Sequence, residues 1–553
     1  MDGLKFIALS GTTSVTHNLY VYEYKEEMLV VDCGVGFPDI DMRGVDLVLP
    51  DFSYIIKNKN KLKGLILSQG HEDHQGALPF LLKSIKTNIY ATEIVAAFVQ
   101  DKLQEHKISG VKINIFDSEK DVLTVGSFKI TPFRVSHSIP DTVGFSIDTP
   151  EGQVFHVPEH KFDKHPEGGQ TFDEEKARRL ASKGVLFLAS DCLGSNKPGS
   201  TKSEESIEEN IFKVFKNADQ SIFFTTISSN IGRIQQVIDV SQRLGRKVVF
   251  VGYSIARKSE IAYELGLLKY KKNQVISLGQ AKKMYKDKLV YITAGCYGQV
   301  GSSLYRISLN EHPKVHVTEG DMVVFSADPA PPYTKESEDF VIDNLIDLGV
   351  DVHYYDLKEG LYVSGHGSQD DIVKLFEIAK PKYLAPIGGT VRFMHGYEKL
   401  AVDFGAPLSS IFKLKPGDSV IFKDGNATRG PQVRVKNVFV DGLGIGDVGN
   451  IVLRDRKVLS QGGIAIAIIQ YDRKRRKLTD TPEVISRGFV FDAKKRSFLS
   501  EAGKSLKTHL EKKSGVEKNT IRTSSIEFLE NYFFKEIGRR PMILPIIVEI
   551  ECP

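Results

Sequence analysis

The feature that most constrains this chain is an alternation, sustained over most of its 553 residues, of short β-rich apolar runs with helical patterns. Strands read at Met28–Asp32, Gly64–Ser68, Phe128–Val135, Val154–Val157, Val185–Ala189, Ile222–Ile227, Lys247–Val251, Leu289–Ala294, Met322–Ser326 and Tyr383–Ile387. Helical patterns follow several of them, as at Ser203–Lys216, Ile231–Leu244 and Glu336–Leu348. Such alternation predicts an α/β architecture. The length exceeds what one hydrophobic core serves, so several domains are expected. The stretch Asn196–Ser203 has turn composition before a helix and suits a domain crossing. Between Lys415 and Gly449 the chain turns rich in Gly, Asp and Pro and reads as a linker.

Hydrophobic content of 41% and charged content of 26% are those of a globular protein in water. No run approaches the roughly 20 apolar residues of a membrane span, and the start, MDGLKFIALSG, lacks the pattern of a secretory signal. The cysteines Cys33, Cys192, Cys296 and Cys552 lie far apart with no CxxC pair. That argues against a disulfide framework and for a reducing compartment, so the expected location is the cytoplasm. From Gly446 onward 21 Lys and Arg face 14 Asp and Glu, on an otherwise near-neutral chain. A basic C-terminal module suits a polyanion, though a solvated charged face reads the same way.

Chemistry concentrates at Leu65-Ile-Leu-Ser-Gln-Gly-His-Glu-Asp-His-Gln-Gly. A buried strand runs into a tight loop bearing His71, Asp73 and His74, side chains that can converge on a divalent cation; a polar surface turn is the plainer alternative. His137 ends another strand, in Phe133-Arg-Val-Ser-His-Ser-Ile-Pro-Asp, Glu159 lies just past a further one, and Asp191 likewise. His366 sits in the Gly/Ser-rich turn Ser364-Gly365-His366-Gly367-Ser368, which offers backbone N–H groups and a cation to a phosphate.

In their order and wording these segments resemble the ribonuclease J family, of the β-CASP branch of the metallo-β-lactamase superfamily. The resemblance includes VDCG at Val31–Gly34, GVDLVLPDFSYI near Gly44, the HEDH loop, HSIPDTVG from His137 and KFD at Lys161–Asp163. It continues with LASD at Leu188, SSNIGRIQQ from Ser228, VSGHGSQDD from Val363, GDVGNIVLRDR, SRGFVF and RRPMILPIIVEI.

The resemblance implies a metallo-β-lactamase αββα sandwich in two parts, 1–200 and 351–416. It further implies an inserted β-CASP domain at 201–350, a linker at 417–445 and a small α+β dimerisation and RNA-associated domain at 446–553. The implied activity is RNA cleavage, exonucleolytic from the 5′ end and endonucleolytic, by two metal ions, usually zinc, with manganese as the other candidate. Carried over, Asp73 and His366 are catalytic, and His71, Asp73, His74, His137 and Glu159 are metal ligands. Ser229, Asn230, Arg233 and Ser364 to Ser368 hold RNA and its phosphates.

The chain also departs from the family. Gln69 stands where the first His of His-x-His-x-Asp-His belongs, Glu159 replaces a bridging Asp, and Gly388 takes the place of the last His ligand. Gly232 and Cys296-Tyr297 are further departures. Losing ligands should cost at least the roughly 10–100-fold that losing one of their supports costs, so at most one well-held ion per chain is expected. The remaining His and Asp residues then read as fossils satisfied by hydrogen bonds, with rescue by His156, His160, His165 or His395, and a single-metal site of His71, His137 and Glu159, as alternatives. The expectation is an RNA-binding protein of RNA processing and decay with weak or lost nuclease activity. It would act as a homodimer or tetramer, or beside an active paralogue, and away from membranes. The alternative is an active metal-dependent ribonuclease with a remodelled site, and a third reading is a small-ester hydrolase on the same fold.

Overall fold

In the computed structural model, residues 3–39, 42–168, 171–329, 334–442, 444–446, 448–489, 495–512 and 517–550 are described. They form two compact units: residues 1–37 with 47–438, and residues 38–46 with 439–553. Cys552 lies outside the described residues.

The first unit is built on two sheets. One has eight strands in the spatial order Asn426–Arg429, Ser419–Lys423, Leu4–Ser10, Leu19–Tyr24, Glu27–Val31, Leu62–Ile66, Ile89–Ala91 and Ile113–Ile115. The other has six: Tyr383–Ile387, Val185–Asp191, Gly152–Val157, Val143–Thr149, Phe128–Arg134 and Leu123–Val125. Alternate side chains of a strand face opposite ways, so each sheet can present an apolar face to the other. Phe6, Tyr20, Tyr22, Leu29 and Val31 of the first meet Phe128, Phe145, Val154 and Phe187 of the second in one buried cluster. The outer face of the second sheet packs Phe133, Phe155 and Leu188 against Ile372, Leu375, Phe376 and Tyr397 of the helices Gln369–Ala379 and Val391–Asp403. This is the expected sandwich.

A third sheet holds Lys247–Val251, Leu289–Thr293, Ile222–Thr225, Met322–Phe325 and Asp351–His353 in that order, all parallel. Its strands follow one another through helices, as parallel pairing requires, and its apolar runs coincide with those read from the sequence.

The linker reading at 417–445 is corrected by the first half of that segment. Ser419–Lys423 pairs antiparallel with Leu4–Ser10, Phe422 opposite Leu4 and Val420 opposite Phe6, and Asn426–Arg429 closes the hairpin. Val420 and Phe422 are fully buried. Turn residues such as Asp424 and Gly425 dominated the composition, while the short alternating strands on either side carry the packing. The boundary also moves, from 446 to 439, and residues 38–46 join the second unit. There Arg456 donates to the Arg43 carbonyl at 3.0 Å, and the Gly442 amide to Asp46 at 2.7 Å.

The second unit sets a sheet centred on Ile464–Asp472 against the helices Lys495–Glu511 and Lys518–Ile537. The apolar strand Met542–Ile550 runs parallel to Ile464–Asp472 along its whole length. Ala465, Ala467, Ile469, Leu506, Leu529 and Phe533 make its core.

Candidate metal centre

The strand Leu62–Ile66 ends in a loop whose residues Ser68, Gln69, His71 and His74 are all buried. Ser68 anchors it, its amide and hydroxyl both donating to Asp32 at 2.8–3.0 Å. Asp32 also bonds His74 Nδ1 at 2.8 Å, which turns His74 Nε2 toward Glu159 Oε1 at 3.0 Å. His137 Nδ1 donates to the Gly365 carbonyl at 2.8 Å, and its Nε2 lies 2.8 Å from Glu159 Oε2. Both rings thus have one nitrogen engaged by an oxygen and the other aimed at a shared centre, the arrangement that orients metal-binding imidazoles.

Glu159 follows the strand Gly152–Val157 and occupies that centre, taking a hydrogen bond from Gln69 Nε2 as well. Burial disfavours its charge, but His74, His137 and His366 outweigh burial and hold its pKa well below the ordinary carboxylate value. Burial likewise opposes charge on His74, yet Glu159, Asp73 and Asp32 keep its pKa well above normal. Burial, with Glu159 adding to it against His74, raises the Asp73 pKa to about 6.

Among the described residues, one set can hold a metal ion: Asp73, His74 and Glu159, whose donor atoms lie within 4.8 Å of one another. Two carboxylates and an imidazole are a fit donor set for one divalent ion. Gln69 Oε1 is buried with no hydrogen-bond partner, a lone pair that such an ion would satisfy. Among the described residues no second set of this kind gathers. Gly388 offers no ligand, and the Asp191 carboxylate beside it is held by His366 Nδ1 at 2.7 Å and by the Leu193 amide at 2.8 Å.

His71 does not join the set. Its nitrogens meet Ser229 Oγ at 2.6 Å and Ser138 Oγ at 2.8 Å, and burial next to His137 lowers its pKa well below normal. The donors that gather are thus Asp73, His74 and Glu159, not the alternative set of His71, His137 and Glu159. Nor does another histidine step in among the described residues. His156 bonds Tyr22 at 2.9 Å, His160 packs its ring against Phe162 and Phe172, His165 is exposed, and His395 pairs with Glu398.

Around this centre the expected RNA contacts divide. His366 is partly buried; burial opposes its charge, but Asp191 and Glu159 raise its pKa to about 9, so it is cationic at neutral pH. The amides of its turn are less available than the sequence implied. His366 N donates to Ser364 Oγ, Gly367 N to the His160 carbonyl, and Ser368 N to Thr201 and Asp371. Ser368 is the cap of the helix Gln369–Ala379, a structural demand on the turn.

Arg233 is corrected outright. It is 1% exposed, and its guanidinium donates to Glu204 at 2.5 Å, Gln236 at 2.9 Å, the Leu361 carbonyl at 3.1 Å and Ser326. Glu204 also takes Lys161 at 3.0 Å, so Arg233 is a buried strut tying the third sheet's helices to the Lys161–Asp163 segment. Asn230 caps its helix by accepting from the Arg233 amide at 3.0 Å. Sequence reading missed three supports: Asp32, Glu204 and Asn18, whose Nδ2 lies 3.1 Å from His74 Nε2; the VDCG motif was the one available signal for Asp32.

Comparison with known proteins agrees along the chain. A beta-lactamase superfamily domain matches residues 28–185, the ribonuclease J beta-CASP domain 219–345 and the ribonuclease J C-terminal domain 451–550. The chain is similar to ribonuclease J2 of Bacillus subtilis, 34% identical over 99% of both chains. It is 31% identical to ribonuclease J 1 of Streptococcus pyogenes over 98% of this chain and 97% of that one. Ribonuclease J 2 of Staphylococcus aureus is 31% identical over 99% and 98%. A protein of unknown function from Enterococcus faecalis V583, 15% identical with a TM-score of 0.53, covers 76% of this chain and all of its own, and shares the fold.

Proposed function

The chain belongs to the ribonuclease J family, and from that premise we propose that it is an RNA-binding protein of RNA processing and decay with weak or lost nuclease activity. The observation that supports this is the composition of the centre. Gln69 and Gly388 supply no imidazole, and the donors that do gather suffice for one ion. Phosphoryl chemistry of the two-metal kind needs a clamp on both the attacking and the leaving oxygen, and the donor set that gathers here serves one ion of such a clamp.

The chain's own residues still serve RNA. His366 presents a cation fixed by Asp191, suited to a phosphate. Ser229 orients His71, and Asp32 fixes the direction of His74. The protein acts as a homo-oligomer or as the partner of an active paralogue, a reading that rests on the family. A second reading, an active ribonuclease with a one-metal centre, is favoured by Asp73, His74 and Glu159 lying together. An ion held there, zinc or manganese, would supply Lewis-acid polarisation of a phosphoryl oxygen.

The test is the natural full-length protein on 5′-monophosphorylated RNA, with elemental analysis of the same preparation. Expected are RNA binding that survives chelation, at most one ion per chain and no release of mononucleotides. Two tightly held ions per chain with steady mononucleotide release would overturn the proposal. One ion with release would establish the second reading.

A further inference from the structure

The third sheet has two ends, and the centre described above uses one of them. Its strands are parallel, and the carboxyl end of Ile222–Thr225 leads into Ser229, which touches His71. The amino end lies about 15 Å away, the length of a short strand. Residues 265–288 cover it and the adjoining edge strand Lys247–Val251, and they carry seven lysines against one carboxylate, Asp287.

The fold ties both ends of this segment to the sheet. The Lys271 carbonyl accepts from Gln274 N at 2.7 Å in a tight turn, and the next residue, Val275, bridges Val248 at the start of the edge strand. Lys288 immediately precedes Leu289, which lies opposite Lys247. The Lys286 carbonyl takes the hydroxyl of Ser221, just ahead of Ile222. Lys271, Lys272, Lys282 and Lys283 are exposed, and among the described residues none of them has a carboxylate within 4.0 Å. Lys286 and Lys288, by contrast, pair with Asp321 and Asp287. Tyrosines are interleaved. Tyr285 is 84% exposed, and Tyr270 stacks on the exposed Tyr263 with ring centroids 4.4 Å apart.

Lysines on an edge strand commonly serve to block sheet-to-sheet association. That duty calls neither for an excess of unpaired lysines nor for exposed aromatic rings. Unpaired cations with aromatic faces between them match a single-stranded nucleic acid, whose phosphates take the charge and whose bases stack. We propose that the amino end of this sheet is a second docking surface for single-stranded RNA, separate from the cleft at the metal centre. The inference rests on the RNA-binding reading above. It places a long RNA on both ends of the domain, with a short one confined to the cleft.

The test measures binding of the full-length protein to 5′-monophosphorylated RNAs of about 6 and about 30 nucleotides, the shorter within one groove's span. The variant is Lys271→Glu/Lys272→Glu/Lys282→Glu/Lys283→Glu, four exposed positions whose replacement leaves the core intact. Affinity for the long RNA should fall at least 10-fold and its salt slope by about 3, near 0.7 per lost phosphate contact, with the short RNA unaffected. Tyr285→Ala should weaken the long RNA alone, by at least about 5-fold. Unchanged affinity for the long RNA would sink the proposal while leaving the cleft reading intact. An equal loss on both RNAs would reduce the surface to a general field effect and overturn it. Loss of binding to phosphatidylserine vesicles with RNA binding untouched would assign the surface to membranes instead. Failure of the natural protein to bind either RNA would defeat the RNA reading itself, and this proposal with it.

Discussion

Restoring three ligand positions should convert this protein into an efficient nuclease: Gln69→His, Glu159→Asp and Gly388→His together. The structure allows the changes at a calculable cost. A Cβ on Gly388 would meet Asp191 Oδ1 and Pro158 O at 3.6 Å, ordinary contact, so space is present. Its φ of +69° makes a side chain there cost about 1–3 kcal/mol. Shortening Glu159 withdraws its carboxylate by about 1.5 Å, away from His74 and His137, now 3.0 and 2.8 Å distant. Those bonds, worth about 1.5–3 kcal/mol each, are lost without metal, so the metal-free triple mutant should melt earlier than the natural protein. Zinc or manganese should then restore its thermal midpoint, by about 2.7 kcal/mol of linkage at a hundredfold excess over Kd. Each single change should raise the rate less than about 10-fold. The triple change should raise it at least about 1000-fold, because ligands acting as a unit are not additive. The assay is mononucleotide release from 5′-phosphorylated RNA, with metal stoichiometry rising to two per chain. A natural chain that releases mononucleotides and a triple mutant that does not would refute the reasoning, since Gln69 and Glu159 would then belong to a working site.

Three further outcomes follow from the geometry. His366 stays charged up to a pKa of about 9, so affinity for the RNA's phosphate end should fall as pH rises through that value; His366→Ala should bind more weakly with a flat profile, while His71→Ala should barely differ from the natural protein. Glu204→Gln leaves Arg233 and Lys161 buried without their shared carboxylate and should cost about 3–5 kcal/mol, read as a lowered thermal midpoint; because Arg233 and Lys161 outweigh burial and depress the Glu204 pKa, this contribution is present above its unfolded pKa of about 4.3 and is lost as pH falls through the lower folded value. A chain ending at residue 416 should be insoluble, since it strips Val420 and Phe422 from the core at about 1.5–3 kcal/mol apiece, whereas one ending at 438 should fold; equal solubility of the two would contradict the pairing with Leu4–Ser10.

The α/β class, ten of the strands and the position of the His71–His74 loop at a strand end were legible in the sequence. They follow from local periodicity and from residue types a few positions apart, information that neighbours in the chain carry together. The family resemblance located Gln69 and Gly388 as departures for the same reason, since each sits in a contiguous motif. Tertiary structure decided the rest. Whether His71 or His74 joins Glu159 depends on Asp32 and Ser229, and His74 and Glu159 themselves are 85 residues apart. Arg233 was an RNA contact only by carry-over from the family's motif, yet Glu204 and Leu361, the latter 128 residues away, close over it. The hairpin at Ser419–Arg429 read as a linker because its turn residues outnumber its strands' signal, and only the free edge of Leu4–Ser10 gives those strands a partner. Pairings of this kind are made by the surface each segment finds on folding, which a sequence states only when the distant partner is already known.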